Sequence, residues 1–220
     1  MNETTWTGER FLPTIALQWQ IAATGDFNSD GHADILWQNS SNGQRAIWLM
    51  NGTTWVGERF LPTIPVAWQI AGTGDFNRDG HVDILWQNTS NGQRAIWLMN
   101  GTNWVSERFL PTVPVQWQIA ATGDFNSDGQ VDIVWQNTGN GQRAVWLMNG
   151  TTWVGERFLP AVPTEWKIAA AADLTRDGHT DLIWQNTSTG ARAVWLMNGT
   201  SWVGERFLPT IPTAWEITNL

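Results

Sequence analysis

The chain has 220 residues, a formal net charge of -8, eighteen tryptophans, no tyrosine and no cysteine. An acidic chain without a basic stripe argues against a nucleic-acid partner, and the lack of cysteine excludes disulfides and thiolate chemistry. No apolar run approaches the ~20 residues that a membrane-spanning helix needs. The opening residues, Met1-Asn2-Glu3-Thr4, do not read as a signal segment.

A period of 49 residues organises the whole sequence. The tetrapeptide Gly25-Asp26-Phe27-Asn28 returns 49 residues later and again after another 49. Residues 68–116 and 117–165 differ at only 11 of their 49 positions. A fixed period in this range indicates a solenoid or a propeller. We therefore treat residues 1–220 as one array with repeats at 19–67, 68–116, 117–165 and 166–214.

One repeat reads as four β-strands, named a to d, joined by short connections. In residues 68–116 these are strand a (68–76), an acidic loop, strand b (82–87), a turn rich in Asn and Ser, strand c (93–99), the hairpin dipeptide Asn100-Gly101, and strand d (107–112). An Asn-Gly turn is typical of an antiparallel hairpin, which disfavours a solenoid of parallel strands. The repeat therefore predicts a four-stranded antiparallel meander.

The order of the strands from centre to rim follows from their residues. Strand a is small in its middle (71–74), which suits crowding around an axis, and strand d carries Pro111, which suits an outer edge. Strands b and c are apolar on both faces, as in a blade that is covered by two neighbours. We predict an all-β fold, a β-propeller with four complete blades. The surplus segments 1–18 and 215–220 would be strands d and a of a split blade. Either a homo-oligomer completes the ring, or the chain was cut from a longer array.

The loop between strands a and b has the spacing of an oxygen-ligand calcium loop. Its candidate ligands alternate along the loop and recur in the first three repeats: Asp26, Asn28, Asp30, Asp34, Asp75, Asn77, Asp79, Asp83, Asp124, Asn126, Asp128 and Asp132. The fourth copy has Thr175 in place of the Asn. The alternative is a turn closed by bonds from side chain to backbone, with no metal.

These motifs resemble a known family. The segment DFNxDGxxDILW followed by IWLMNG resembles the FG-GAP/VCBS type of repeat, which implies propeller blades and, in calcium-loaded members, an ion held by the aspartates between strands a and b. The tryptophan-rich form is similar to the PLL-type bacterial lectins. That similarity implies sugar sites between blades, without saying which residues bind.

The b–c turn and the d–a crossover should emerge together at one end of the propeller, where they gather amides, a guanidinium and an indole. Amides and arginine hydrogen-bond sugar hydroxyls, and an aromatic face packs on a sugar ring. The candidate carbohydrate-binding residues, four in each repeat, are Trp19, Gln38, Asn39, Arg45, Trp68, Gln87, Asn88, Arg94, Trp117, Gln136, Asn137, Arg143, Trp166, Gln185, Asn186 and Arg192. Ordinary turn and core roles are the competing interpretation of the same residues.

No single segment breaks the repeat symmetry as an active site usually does, so we expect no enzyme. The leading hypothesis is a multivalent carbohydrate-binding propeller whose partners are glycans, located outside the cell or on its surface. The alternative is a structural or protein-interaction propeller with calcium-stabilised loops. Near-identical copies also suit an engineered or recently amplified repeat, which need have no sugar ligand.

Overall fold

The computed structural model describes residues 9–217 and contains sixteen β-strands there. The first blade consists of β1 (Trp19–Gly25), β2 (Asp34–Asn39), β3 (Arg45–Asn51) and β4 (Thr54–Leu61). The second consists of β5 (Trp68–Gly74), β6 (Asp83–Asn88), β7 (Arg94–Asn100) and β8 (Asn103–Leu110).

The other two blades repeat this plan. The third consists of β9 (Trp117–Gly123), β10 (Asp132–Asn137), β11 (Arg143–Asn149) and β12 (Thr152–Leu159). The fourth consists of β13 (Trp166–Ala172), β14 (Asp181–Asn186), β15 (Arg192–Asn198) and β16 (Ser201–Leu208). Over the described part of the chain, no helix is long and apolar enough to cross a bilayer.

Each blade is an antiparallel meander in the order a-b-c-d, which confirms the predicted propeller of four four-stranded blades. Strand d starts earlier than predicted, because Asn103 and Trp104 already pair with Asn100 and Met99 across the hairpin. Pro111 follows the last residue of β8 instead of lying within it. Strand d is the outermost strand, as its proline and charges predicted.

Strand a lies innermost, where neighbouring blades approach closely. The hydroxyl of Thr73 donates to the carbonyl of Thr24 in the preceding blade over 2.8 Å, and Thr122 repeats the bond to Thr73 over 3.0 Å. A Cβ added to Gly72 would stand 3.1 Å from the methyl group of Thr122. The small residues of strand a are therefore required by crowding around the axis, as the sequence predicted.

The hydrophobic core lies between blades and not within them. Leu36 and Ile47 of the first blade share one buried cluster with Ile84, Trp86 and Trp97 of the second. The third and fourth blades join in the same way. Each inner sheet is thus covered on both faces, which explains why strands b and c are apolar throughout.

The b–c turn and the d–a crossover meet at one end of the propeller. The Ile64 amide donates to the Gly43 carbonyl of the preceding turn over 3.1 Å, and the Thr89 amide donates to Ala67 over 2.8 Å. Each crossover is therefore clamped between two successive b–c turns. Gly43 and its equivalents have positive φ and lie directly beneath the crossover backbone.

The predicted split blade is only partly visible. Residues 9–18 and 215–217 contain no strand, and residues 1–8 and 218–220 lie outside the described residues. Residues 215–217 nevertheless keep the contacts of strand a. The Ile217 amide donates to Gln185, as the Ile70 amide does to Gln38.

The close approach at the b–c turn gives a test of the fold. In Gly92→Ala the new methyl group would press against the Val113 carbonyl oxygen at φ +78, whereas in Gly80→Ala it would enter open space at φ +85. We expect Gly92→Ala to lower the free energy of unfolding by about 3 kcal/mol or more, and Gly80→Ala by about 1–2 kcal/mol. Denaturant titration measures both, and equal losses would contradict this crossover packing.

Candidate functional site

A pocket of about 310 Å³ opens on the second blade, on the sheet face that packs towards the first blade. Its walls are mainly aromatic. Strands a to d contribute Trp68, Trp86, Trp97 and Phe109, and Ile64 of the incoming crossover covers one side. We call this site the aromatic pocket. Its lining comes from all four strands of the second blade and from the crossover before it, so residues far apart in the sequence form it.

The aromatic pocket occurs on every blade. Cavities of about 110, 150 and 150 Å³ lie at the equivalent places of the first, third and fourth blades. Each is lined by an aliphatic crossover residue, a Trp from each of strands a, b and c, an Ala, a Glu and a Phe. The molecule therefore carries four copies of one site.

Strand register explains how the pocket forms. Ala95 lies opposite both Trp86 on strand b and Phe109 on strand d, so the smallest side chain sits between two large rings. Residues directly opposite each other in an antiparallel pair project from the same face. The hollow above Ala95 is the centre of the pocket.

The tryptophans form a continuous row from the floor of the pocket to its rim. Trp86 and Trp97 have ring centroids 4.8 Å apart, and Trp97 and Trp104 follow at 5.5 Å. The exposed fraction of the side chain rises along the row, from 1 % at Trp86 to 9 % at Trp97 and 40 % at Trp104. At Phe109, beside the row, it is 62 %. Trp68 meets Phe109 edge to face at 6.4 Å. The rings are thus held rigidly, and those at the rim are open to a ligand.

The tryptophan at the floor has an unused hydrogen-bond donor. Trp86 Nε1 is buried and has no hydrogen-bond partner. The indoles of Trp37, Trp135 and Trp184 at the equivalent positions share this property. A buried donor without a partner costs free energy, so its recurrence in all four blades needs an explanation.

One carboxylate stands beside the rings. Glu107 lies opposite Trp97 across strands c and d, and it lines the pocket. Glu58, Glu156 and Glu205 line the other three pockets. The glutamate, the strand-c tryptophan and the strand-d phenylalanine were not among the sequence-predicted site residues. Only the strand register could have shown that they converge.

Of the predicted carbohydrate-binding residues, the strand-a tryptophans line the aromatic pocket. The glutamines do not, because each joins its blade to the next. Gln87 accepts the Ile119 amide over 3.2 Å, and Gln38, Gln136 and Gln185 accept the equivalent amides. The asparagines are buried and close the b–c turn, where Asn88 Oδ1 accepts the amide and hydroxyl of Ser90.

The predicted arginines are also engaged within the protein. Arg94 is buried and donates to the carbonyls of Asn88, Gln93 and, across the blade interface, Trp117. Its guanidinium stacks on Trp135 at 5.2 Å. Burial lowers the pKa of Arg94, and likewise of Arg143, to about 10. The glutamine, asparagine and arginine positions therefore have structural partners, and a sugar contact through them stays a prediction.

The acidic a–b loop closes on itself. Asp26 accepts the amides of Asp30 and Gly31 over 3.1 and 2.8 Å, and the Asn28 side chain donates to Asp30 over 2.8 Å. The hydrogen bond from Asn28 holds the pKa of Asp30 below its usual value. The second and third loops repeat these bonds.

The last aspartate of the predicted calcium loop is buried away from the others. Asp83 accepts the Phe76 amide over 3.0 Å and the Met99 amide of strand c over 2.9 Å. Desolvation raises its pKa to about 6, against the opposing effect of these two bonds. Asp34 and Asp132 make the same pair of bonds. In the described residues, no group of three or more His, Asp or Glu side chains is placed to hold a metal.

Two solved structures are similar to parts of this chain. The Tc holotoxin pore of Photorhabdus luminescens is 17 % identical, with 89 % of this chain and 12 % of that chain covered and a TM-score of 0.41. BBS1N in complex with ARL6DN is 13 % identical, with 89 % and 61 % covered and a TM-score of 0.45. The chain thus spans less than two thirds of either protein.

None of the curated proteins matches the sequence. The FG-GAP-like repeat family matches residues 26–86, 75–135 and 124–184, which together cover more than half of the chain. The repeat suspected from the DFNxDG loop is thereby confirmed, whereas a specific likeness to propeller lectins is not shown. The chain belongs to the FG-GAP-like repeat family.

Proposed function

We propose that this protein is a multivalent carbohydrate-binding propeller and that sugars bind in the aromatic pockets. The observation that carries the proposal is the fourfold recurrence of one site that combines open aromatic rings with a carboxylate. An aromatic ring packs on the C–H face of a sugar, while a carboxylate accepts from its hydroxyls.

The size and number of the pockets support weak but repeated binding. The largest, at about 310 Å³, is at the lower end of the ~300–1,000 Å³ range of small-molecule sites. Four weak sites on one rigid body gain avidity on a surface that displays many copies of a sugar. Repeat symmetry favours binding over catalysis, since catalysis usually needs one singular site. We propose glycans outside the cell or on its surface as the targets.

Removing the outermost ring of each pocket tests the proposal. The fourfold variant Phe60→Ala, Phe109→Ala, Phe158→Ala and Phe207→Ala should weaken glycan binding about three- to tenfold per site, and more on a multivalent surface. These side chains are largely exposed, so the fold should survive. A glycan array with inhibition by free monosaccharides gives the measurement.

The matched control alters exposed apolar residues on the same strands that do not line the aromatic pocket. It is Val56→Ala, Val105→Ala, Val154→Ala and Val203→Ala, and it should bind as the parent does. Equal binding by the phenylalanine variant, or no binding by the parent chain, would contradict the proposal.

A structural or protein-interaction propeller is the second candidate. Strand d, the edge strand of every blade, exposes apolar side chains to solvent, including Val105 and Phe109. Exposed edges with apolar residues invite pairing with another protein. A parent chain that binds no glycan but captures a protein through the valines would support this candidate instead.

We infer that the a–b loops keep their shape without calcium, because backbone amides already occupy the oxygens of Asp26 and Asp83. The calcium predicted from the spacing would share these oxygens with the amides, because an ionised carboxylate offers about four acceptor positions, but the loop does not need the ion in order to close. We expect the thermal midpoint to be the same with EDTA and with millimolar calcium. A rise of several degrees with calcium would refute the inference, and magnesium at the same concentration controls for ionic strength.

We also propose that copies of this chain associate through the uncovered sheet faces of the first and fourth blades. Ile21 is 41 % exposed, whereas the equivalent Ile70 is 7 % exposed, and Leu208 is 37 % exposed against 6 % for Leu61. The two faces are the halves of an interface that the chain forms three times internally.

Sedimentation velocity at micromolar concentration should therefore detect species larger than the 24.7 kDa chain. Ile21→Glu should shift the distribution towards the monomer, because it places a charge on the uncovered face. Val56→Glu, on an exposed edge strand, should leave the distribution unchanged. A strict monomer in the parent chain would exclude this association.

A further inference from the structure

In the part of the chain that the structure describes, the residues that line the aromatic pocket carry negative charge and no positive charge. Among the described residues that line it, Glu107 is the only charged one, and the same holds for Glu58, Glu156 and Glu205 in the other pockets. No arginine, lysine or histidine lines any of the four. A ligand therefore meets aromatic rings and one carboxylate, inside a chain whose formal net charge is -8.

The neighbouring arginines are directed elsewhere. Arg108 follows Glu107 on strand d, but it lines a separate cleft with Leu110 and Thr151 and donates to the Glu107 backbone carbonyl over 2.9 Å. Arg45 stacks on Trp86 at 5.4 Å, yet its Nη2 group donates to the Trp68 carbonyl. Trp97, Trp104 and Phe109 remain without a stacked cation among the described residues.

This combination favours a positive group in the ligand. The faces of indole and phenyl rings carry negative charge and attract a cation within about 6 Å of the ring centre. Glu107 lies directly opposite Trp97, so its carboxylate and this ring are on the same sheet face. Trp104 continues the row from Trp97 towards solvent. An ammonium group beside Glu107 and this exposed ring would meet both attractions together, and the field of the acidic chain would draw it in.

A neutral sugar would use the site less fully. Its hydroxyls could donate to Glu107, and its ring could pack on Phe109. A hydroxyl is neutral, however, whereas an ammonium group adds the attraction of an opposite charge at the same carboxylate.

We propose that the aromatic pockets select sugars that carry a free, protonated amine, such as the unacetylated hexosamine units of a glycan. The proposal rests on the function proposed above. The sugar ring packs against Phe109, and the ammonium group lies between Glu107 and Trp104, the exposed outer ring of the tryptophan row. Acetylation of the nitrogen removes the positive charge and with it the preference.

Isothermal titration calorimetry measures the affinity of three sugars for the 220-residue parent chain and two variants of it. The sugars are glucosamine, N-acetylglucosamine and glucose. The first variant is Glu58→Gln, Glu107→Gln, Glu156→Gln and Glu205→Gln, which removes the charge but keeps the shape and hydrogen-bonding capacity. The control is Arg59→Gln, Arg108→Gln, Arg157→Gln and Arg206→Gln, which makes equal changes on the same strands outside the pockets.

We expect the parent chain to bind glucosamine roughly three- to tenfold more tightly than N-acetylglucosamine or glucose. The variant with the four Glu→Gln changes should lose this preference and keep its affinity for the neutral sugars. The control with the four Arg→Gln changes should keep the preference. These results together would support the proposal.

Other outcomes overturn it in distinguishable ways. Equal affinity for all three sugars, or a preference for glucosamine that survives in the Glu→Gln variant, would refute the selectivity for amines. It would not contradict the proposed binding of carbohydrates. No binding of any sugar refutes both, and choline is then titrated as a cation without a sugar ring. Binding of choline alone would show a cation pocket that is not a sugar site, which also overturns the proposal.

Discussion

The arginine that begins strand c is the contact on which the arrangement of the blades depends. Arg94 is buried and has no carboxylate among its hydrogen-bond partners. Its Nη1 and Nη2 groups donate to three backbone carbonyls, one of which belongs to Trp117 in the next blade. A buried charge is costly unless it is well hydrogen-bonded. Strand a of the following blade must therefore lie where that carbonyl can be reached. The same bond recurs at Arg45, Arg143 and Arg192.

This arrangement separates the structural groups from the groups that face solvent. The side-chain amide of Gln87 and the guanidinium of Arg94 form hydrogen bonds to the next blade. These bonds hold the crossover in place above the aromatic pocket. The pocket itself is left with aromatic rings and one carboxylate. A rigid wall of this kind lowers the entropy that a ligand-binding site loses when it is occupied.

The repeat period, the Asn-Gly hairpins and the small residues of strand a were enough to predict the fold. The candidate site was harder, because its members are separated in sequence and meet only through strand register. Gln87 and Arg94 look like exposed turn residues, since nothing local shows that strand a of the next blade lies beside them. Glu107 looked like an ordinary rim charge until its place opposite Trp97 was visible.

The fourth repeat separates what the fold tolerates from what the pocket keeps. Its a–b loop has lost the buried phenylalanine, and Leu174 in that place is 46 % exposed. Its pocket nevertheless has the same Trp195, Glu205 and Phe207 as the other three. Trp195 is a core residue, and packing alone accounts for it. Glu205 and Phe207 are exposed and contribute little to the stability of the fold. Exposed residues outside the pocket, such as Val203, recur in every copy as well. The recurrence of Glu205 and Phe207 therefore fits the proposed sugar site without requiring it.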